Sequence, residues 1–476
     1  MAEGRIDRTM SDTGRLSIHN SMYSSNSRTS FEGVSVEVSN IMTMLGYGEE
    51  IRRRRVQKYR ELDMRWNERM DLFTIITAGS KAEGLTSWVE SDYDMLYVPK
   101  STLCVEAGVD LHSIPDYMEV YRMDTDVYPG HCRMLLERTY PQSLLKSALC
   151  DDEKGNTLLS SALVLDTLCS ALVLDMLSKM KFERVPLERA GPSLPLSVGQ
   201  DLNFDIVFAI RCQCPGIMQR WTERPRHWPP PDVVQKVVSL GSLVTPVGFK
   251  GSANKNLEWR MCFNMGETEL VSNLNGPQAK LYVILKMIVK EVLKPTNKEI
   301  TSYVLKNIIF WQAESNSPAM FQESNLIHML HDALGTLRTV ISSTQLPYYM
   351  IPERNLMAAC GLKDEQQRKW VADITNMMAE GPKVMLRLSK IRNAIICHQE
   401  PLLWFSRRKI ELEMLMLEYN RIMPRDYEHR QYDNAYIIEQ EIRRHMNELL
   451  REVHMRMLME GGYVNDPMDI WRRVLM

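Results

Sequence analysis

Leu72-Phe73-Thr74-Ile75-Ile76-Thr77-Ala78-Gly79-Ser80, followed by Ser91-Asp92-Tyr93-Asp94-Met95-Leu96-Tyr97-Val98, decides how this chain is read. The first run is apolar and β-branched and ends in a Gly-Ser turn, which predicts a strand over Leu72–Thr77. The second predicts a strand bounded by Pro99. Residues two apart on a strand project from the same face, so Asp92 and Asp94 address one point. Two like charges held together repel unless a cation neutralises them; an exposed, solvated strand face is the other reading of the pair. At Gly79-Ser80, backbone N–H groups and the hydroxyl can hold phosphate oxygens, although Gly-Ser also makes ordinary turns.

A third carboxylate sharpens the choice. Asp205 sits in Asn203-Phe204-Asp205-Ile206-Val207-Phe208-Ala209-Ile210, an otherwise apolar predicted strand where an unpaired charge is costly. Were that strand a neighbour of the first pair, three oxygen ligands would converge beside a phosphate-holding turn. Those are the requirements of Mg²⁺-assisted nucleotidyl transfer.

Composition sets the frame around this stretch. The 476 residues are 44% hydrophobic and 25% charged, the balance of a folded chain, which excludes disorder as the main state and collagen-like or low-complexity classes. The net charge of −2 supplies no global positive field, so any nucleic-acid contact needs a local patch. One exists in Ile51–Arg60, where Arg52, Arg53, Arg54, Arg55, Lys58 and Arg60 occur without an acid among them. On a helix, Arg52 and Arg55 share a side, Arg54, Lys58 and Arg60 spread along another, and Val56 and Tyr59 face the core. A solvated face paired with Glu49, Glu50 and Glu61 is the alternative. No apolar run is long enough to span a membrane; the longest candidate, Leu158–Met180, is broken by Asp166 and Asp175. The first twenty residues lack a signal-peptide core, so neither secretion nor mitochondrial import is expected. The nine cysteines are scattered, and Cys212 and Cys214 are too close for a zinc knuckle. A reduced, cytoplasmic protein is expected, with its 33 methionines filling the core.

Residues 1–33 read as a disordered tail. A helical pattern follows from Val34 to Asp71, one helix or two depending on Gly46 and Gly48. Helices are predicted over 129–147 and 157–182, the latter holding two SALVLD copies, Ser161–Asp166 and Ser170–Asp175. Strands are predicted over Ser193–Val198 and Glu258–Asn264, with a Trp/Pro loop, Trp221–Pro231, between them. Beyond Gly276 the pattern is helical: Leu281–Leu293, Ile300–Ala313, Asn325–Ser342, Glu365–Arg392, Pro401–Met423 and Tyr427–Glu460. The fold class is therefore α+β, with a core of mixed strands and helices over 34–275. A helical lobe follows over 276–400, and a helical extension over 401–476.

From about Ser39 to Arg392 the sequence resembles the cyclic GMP-AMP synthase-like receptors of the Mab-twenty-one nucleotidyltransferase superfamily. The ordered set is Gly79-Ser80, Asp92-Tyr93-Asp94, Asp205-Ile206-Val207, Glu258-Trp259-Arg260, Lys286, Thr301-Ser302-Tyr303 and Tyr349-Met350-Ile351-Pro352-Glu353-Arg354-Asn355-Leu356. The resemblance implies a bilobal fold with a mixed sheet, a long spine helix and a C-terminal helical bundle. It implies Asp92, Asp94 and Asp205 as catalytic ligands of two Mg²⁺ or Mn²⁺ ions. Gly79, Ser80, Lys286 and Ser302 would meet the triphosphate, Tyr303 would stack on a base, and Arg260 would read the acceptor base. Glu267 and Asn355 match further polar contacts to the bases.

The implied activity joins two nucleoside triphosphates (ATP, GTP or another) into a cyclic dinucleotide that signals to a STING-type receptor in innate antiviral defence. The implied activator is a nucleic-acid duplex on the spine patch. The vertebrate synthase's zinc insertion is missing, since Thr268–Lys280 has no Cys or His. No zinc is expected, and double-stranded RNA is favoured over double-stranded DNA. Cys262 and Asn264 replace serines near the acceptor base, leaving the second nucleotide open. A catalytically silent scaffold of the same fold and a transferase with linear products are the alternatives.

Overall fold

The computed structural model of the chain describes residues 25–68, 70–152, 154–167, 184–186, 191–198, 202–295, 299–422, 434–462 and 470. Its strands are β1 (Phe73–Ala78), β2 (Tyr93–Pro99), β3 (Thr102–Val105), β4 (Glu119–Asp124), β5 (His131–Arg138), β6 (Leu149–Asp151) and β7 (Thr157–Leu159). They continue with β8 (Arg184–Pro186), β9 (Ser193–Val198), β10 (Leu202–Phe208), β11 (Ile210–Gln213), β12 (Ser242–Thr245) and β13 (Glu258–Cys262).

Two sheets form. The first has the order β1-β2-β10-β9-β8, with β2 antiparallel to β1 and parallel to β10. The second runs β13-β12-β11-β3-β4-β5-β7-β6, and an extra β13–β5 pairing closes six of its strands on themselves. The chain passes between sheets at Ala209, whose N–H donates to Tyr97 O at 3.0 Å, so the predicted single strand Asn203–Ile210 is two. One face of the first sheet (Phe73, Ile75, Met95, Tyr97, Ile206, Phe208) joins the main core. Its other face (Ile76, Ala78, Leu96, Val98, Val207) packs against Leu243 and Met265. Each such fully buried apolar side chain contributes about 1.5–3 kcal/mol.

The spine is two helices, Ser25–Met42 and Glu49–Asn67, separated by a short π-turn over Thr43–Tyr47. Gly46 breaks it with φ 90°, a conformation glycine adopts without steric cost. Glu49 and Glu50 in the first turn of the second helix complement its dipole. Helix therefore begins at Ser25, ahead of the expected boundary at 34; residues 1–24 lie outside the described set.

Two helix expectations fail. Within 129–147, His131–Arg138 is a strand, because Cys132 and Met134 are drawn into the closed sheet while β13 and β4 saturate the backbone on either side. Tertiary pairing outweighs the helix propensity of Met-Leu-Leu-Glu-Arg there. Within 157–182, Thr157–Leu159 is a strand and 161–167 is helical, while 168–183, with the second SALVLD copy, lies outside the described residues.

Past the capping box of Asn275 and Gln278, helices follow over Gly276–Ile288, Ser302–Ser315, Leu326–Ser343, Asp364–Glu380 and Ser389–Ile396. Gly381 divides the predicted helix Glu365–Arg392 in two at φ 56°. The last two helices, Gln399–Ile422 and Asn434–Met459, pair with each other, and the first of them lies along the spine helix.

Candidate active site

Strand register brings the carboxylates together. Asp94 pairs with Asp205 across the parallel β2–β10 ladder and with Ala78 across β1. Directly opposed residues share a face, so Asp94 and Asp205 stand at the end of the apolar surface formed by Ile76, Leu96 and Val207. Asp92, exposed, immediately precedes β2. Asp205 accepts a 2.7 Å hydrogen bond from Ser193 on β9. Burial pushes the Asp94 carboxyl up to about 7, and the negative charges of Asp205, Asp92 and Glu83 push in the same direction. Among the described residues, no three His, Cys, Asp or Glu side chains are gathered into a protein-only metal cage.

The Gly-Ser turn lies against this group. Gly79 has φ +65°, and a Cβ placed there would sit 2.0 Å from Asp94 Oδ2. Ser80 Oγ accepts from Lys286 Nζ at 2.7 Å, which joins the turn to the helical lobe. Burial lowers the Lys286 pKa, and Glu83 is the largest influence opposing it. Gly79→Ala is expected to cost about 1–3 kcal/mol through its left-handed backbone and to displace Asp94 as well. A shift of the urea midpoint with unchanged m-value, together with loss of transferase activity, checks this.

Several of the residues expected to meet the bases gather around one buried carboxylate. Glu267, 2% exposed, accepts from Tyr303 Oη at 2.9 Å and Tyr348 Oη at 2.6 Å. It also pairs with Lys306 at 3.3 Å. Lys306 forms a second ion pair with Glu83, which is 1% exposed. Burial opposes the Lys306 charge, but Glu83 and Glu267 outweigh it and hold its pKa well above the usual range. Glu267 thus orients Tyr303 and is itself shielded from solvent. Arg260 on β13 stands beside this group, its charge favoured by Cys262, Tyr303 and Tyr348 against the cost of burial. Ser302 opens its helix and is exposed.

Asn355 makes its side-chain contacts within its own loop. Its amide accepts from the Leu346 and Met357 N–H groups and donates to Thr344 O, so all of these contacts serve to fold the 344–357 loop. Lys81, Glu83, Ser193, Lys306 and Tyr348 belong to the site but were not anticipated. Lys81 and Glu83 directly follow the Gly-Ser turn, and Lys306 lies one helical turn beyond Tyr303, a spacing that could have exposed it.

The spine patch is not a free cationic face. Arg52 (4% exposed) points inward and donates to Leu274 O at 2.7 Å. Arg55 (1% exposed) forms a bidentate pair with Glu413, both distances 2.8 Å. Neither can meet a duplex, a correction to the expected set; the apolar side that buries Val56 and Tyr59 takes them in with it. Arg53 and Arg54 remain exposed, pairing along the helix with Glu49 and Glu50. Lys58 bridges Glu61 and Glu418, and Arg60 reaches Glu269 at 3.6 Å.

Among the described residues no helix is long and apolar enough to cross a membrane, and the cysteines are free thiols. Two family models match the chain. The Mab-21 protein nucleotidyltransferase domain matches residues 104–273, which contain Asp205, Arg260 and Glu267. The Mab-21 protein HhH/H2TH-like domain matches residues 278–376, which contain Lys286, Ser302, Tyr303 and Asn355. Together they cover more than half of the sequence, in the order the fold displays, with Gly79 to Asp94 just ahead of the first span. The chain therefore belongs to the Mab-21 family and carries that family's nucleotidyltransferase domain followed by its C-terminal helical domain.

Proposed function

We propose that this protein joins two nucleoside triphosphates into a cyclic dinucleotide, releasing pyrophosphate at each of two transfers. The observation that carries the proposal is the in-register pair Asp94–Asp205 beside the Ser80–Lys286 contact. A divalent cation fits this donor set: Asp94 has a pKa raised by burial and then by the negative charges of Asp205, Asp92 and Glu83, and Gly79 leaves room for its carboxylate. Mg²⁺ is held by one or two carboxylates together with substrate phosphates, so a protein-only cage is not required. Asp92, Asp94 and Asp205 would hold Mg²⁺ or Mn²⁺, two per site. When bound, the metal supplies Lewis-acid neutralisation of charge on the transferring phosphoryl group.

The chain's own groups do the rest. Ser80 and Lys286 hold the triphosphate, with Ser302 at the adjoining helix start. Tyr303, fixed by Glu267, stacks on one base, and Arg260 recognises the other. Asp205, oriented by Ser193, accepts the proton of the attacking ribose hydroxyl as the new O–P bond forms and pyrophosphate leaves. The product would act as a second messenger for a STING-type receptor, with double-stranded RNA as activator.

Incubation with all four labelled triphosphates, Mg²⁺ or Mn²⁺, and duplex RNA or DNA tests the proposal. A phosphatase-resistant dinucleotide supports it. Linear oligomers, or no condensation under any combination, overturn it.

Arg53, Arg54 and Arg60 stay exposed on this helix, at 75%, 57% and 57% side-chain exposure, and the first two pair along the helix itself. Reversing Arg53 and Arg54 to Glu is expected to remove duplex stimulation while leaving triphosphate binding unchanged. The salt dependence of duplex affinity should flatten by roughly 0.9 log per lost phosphate contact. Undiminished stimulation would place the duplex elsewhere.

A further inference from the structure

The segment between the Gly-Ser turn and the carboxylates, Gly84–Asp92, is held by an element that lies outside both matched family domains. That element is the helix Gln399–Ile422. Its Glu413, 0% exposed, accepts the Trp88 backbone N–H at 3.1 Å through the same oxygen that meets Arg55 Nε. Arg55 in turn donates to Gly46 O at the spine kink at 2.7 Å and reaches Gly84 O at 3.4 Å. Lys81 Nζ, next in the turn, donates to Trp88 O at 2.5 Å and lies 4.4 Å from the Tyr93 ring centre. Tyr93 sits between the two aspartates.

A second anchor is Glu90 in the same segment. It accepts from Ser87 N–H at 2.9 Å and Tyr47 Oη at 3.0 Å, and pairs with Lys390 and, at 4.0 Å, with Lys409 of the helix Gln399–Ile422. Leu417 completes the attachment by packing with Tyr59, Leu62, Trp88 and Tyr93. Glu413 on the helix Gln399–Ile422 and Glu90 on the segment thus tie the catalytic turn to the spine kink and to the helices Ser389–Ile396 and Gln399–Ile422.

We infer that Glu413 is a positioning residue for nucleotidyl transfer, and that the helix Gln399–Ile422 holds the Gly84–Asp92 segment so that Asp92 and Asp94 face the phosphate turn. The inference rests on the transferase reading above. Glu413 touches no substrate; it acts through Trp88, Arg55 and Lys81. Misplacement of a reacting group by about 1 Å costs on the order of 10²-fold in rate, so loosening the segment should lower kcat while sparing KM.

The test uses the full chain with Glu413→Gln, compared with wild type by amide hydrogen exchange and steady-state kinetics below the variant's melting temperature. Expected are loss of protection in 84–92, a kcat lower by about 10²-fold, and KM for the triphosphates within about threefold. Unchanged protection overturns the inference, as does lost protection with unchanged kcat. Should Glu413→Gln fail to fold, Lys390→Met with Lys409→Met decides, since it loosens the Glu90 anchor alone; the same two outcomes apply. A wild type inert toward every triphosphate overturns the transferase reading itself. An active wild type matched by its variants overturns only the positioning role.

Discussion

Asp94→Asn is expected to lower dinucleotide synthesis by about 10³-fold or more while raising stability at neutral pH. The carboxyl has an unfolded pKa near 3.8 and a folded one pushed up to about 7 by burial and by Asp205 and Asp92. An acid raised in this way contributes stability that is fully present below its unfolded pKa and is lost as pH rises through the folded value. Between about pH 4 and 7 the wild type therefore loses stability that the amide variant keeps. The gain should amount to a few degrees of melting temperature at pH 8 and vanish near pH 4. Thermal melts at both pH values, alongside the activity assay, check it. A variant less stable than wild type at pH 8 would make Asp94 a structural residue.

Lys306→Met should have the largest effect on stability. The ammonium is the ion-pair partner of Glu83 and Glu267, which are 1% and 2% exposed. Removing one partner of a buried pair costs about 3–5 kcal/mol, because the remaining charges stay buried. Burial already raises the Glu83 pKa against the pull of Lys306. Without that pull it rises further, so the deficit should grow between pH 5 and pH 8. Adding Glu83→Gln should recover much of the loss, a coupling that a double-mutant cycle measures. A deficit below about 1 kcal/mol at pH 8 would mean that solvent reaches the pair.

Much of this site could be read along the chain because its residues fall on short, strongly patterned strands. The apolar, β-branched run with its Gly-Ser stop located β1, Pro99 bounded β2, and an aspartate inside an apolar run marked Asp205; their juxtaposition then follows from strand order. The strand at His131–Arg138 was hidden because its helix-forming residues become a strand only through pairing with β13 and β4. Burial of Arg52 and Arg55 was equally hidden, since charge density along a helix does not reveal which side another element covers. For Arg55 the covering element, with Glu413, lies 358 residues away in sequence, and Arg52 meets Leu274 O, 222 residues away. Asn355 shows another case: its side-chain hydrogen bonds are spent on its own loop, which the sequence pattern does not reveal.

Pyrophosphate release measured against product in a single reaction bears most directly on the proposed chemistry. Wild type with Mg²⁺ or Mn²⁺, triphosphates and duplex RNA should release two pyrophosphates per phosphatase-resistant dinucleotide, and Asp94→Asn should release none above background. A single pyrophosphate per dinucleotide, left linear with its 5′-triphosphate, or equal release by wild type and Asp94→Asn, would contradict it.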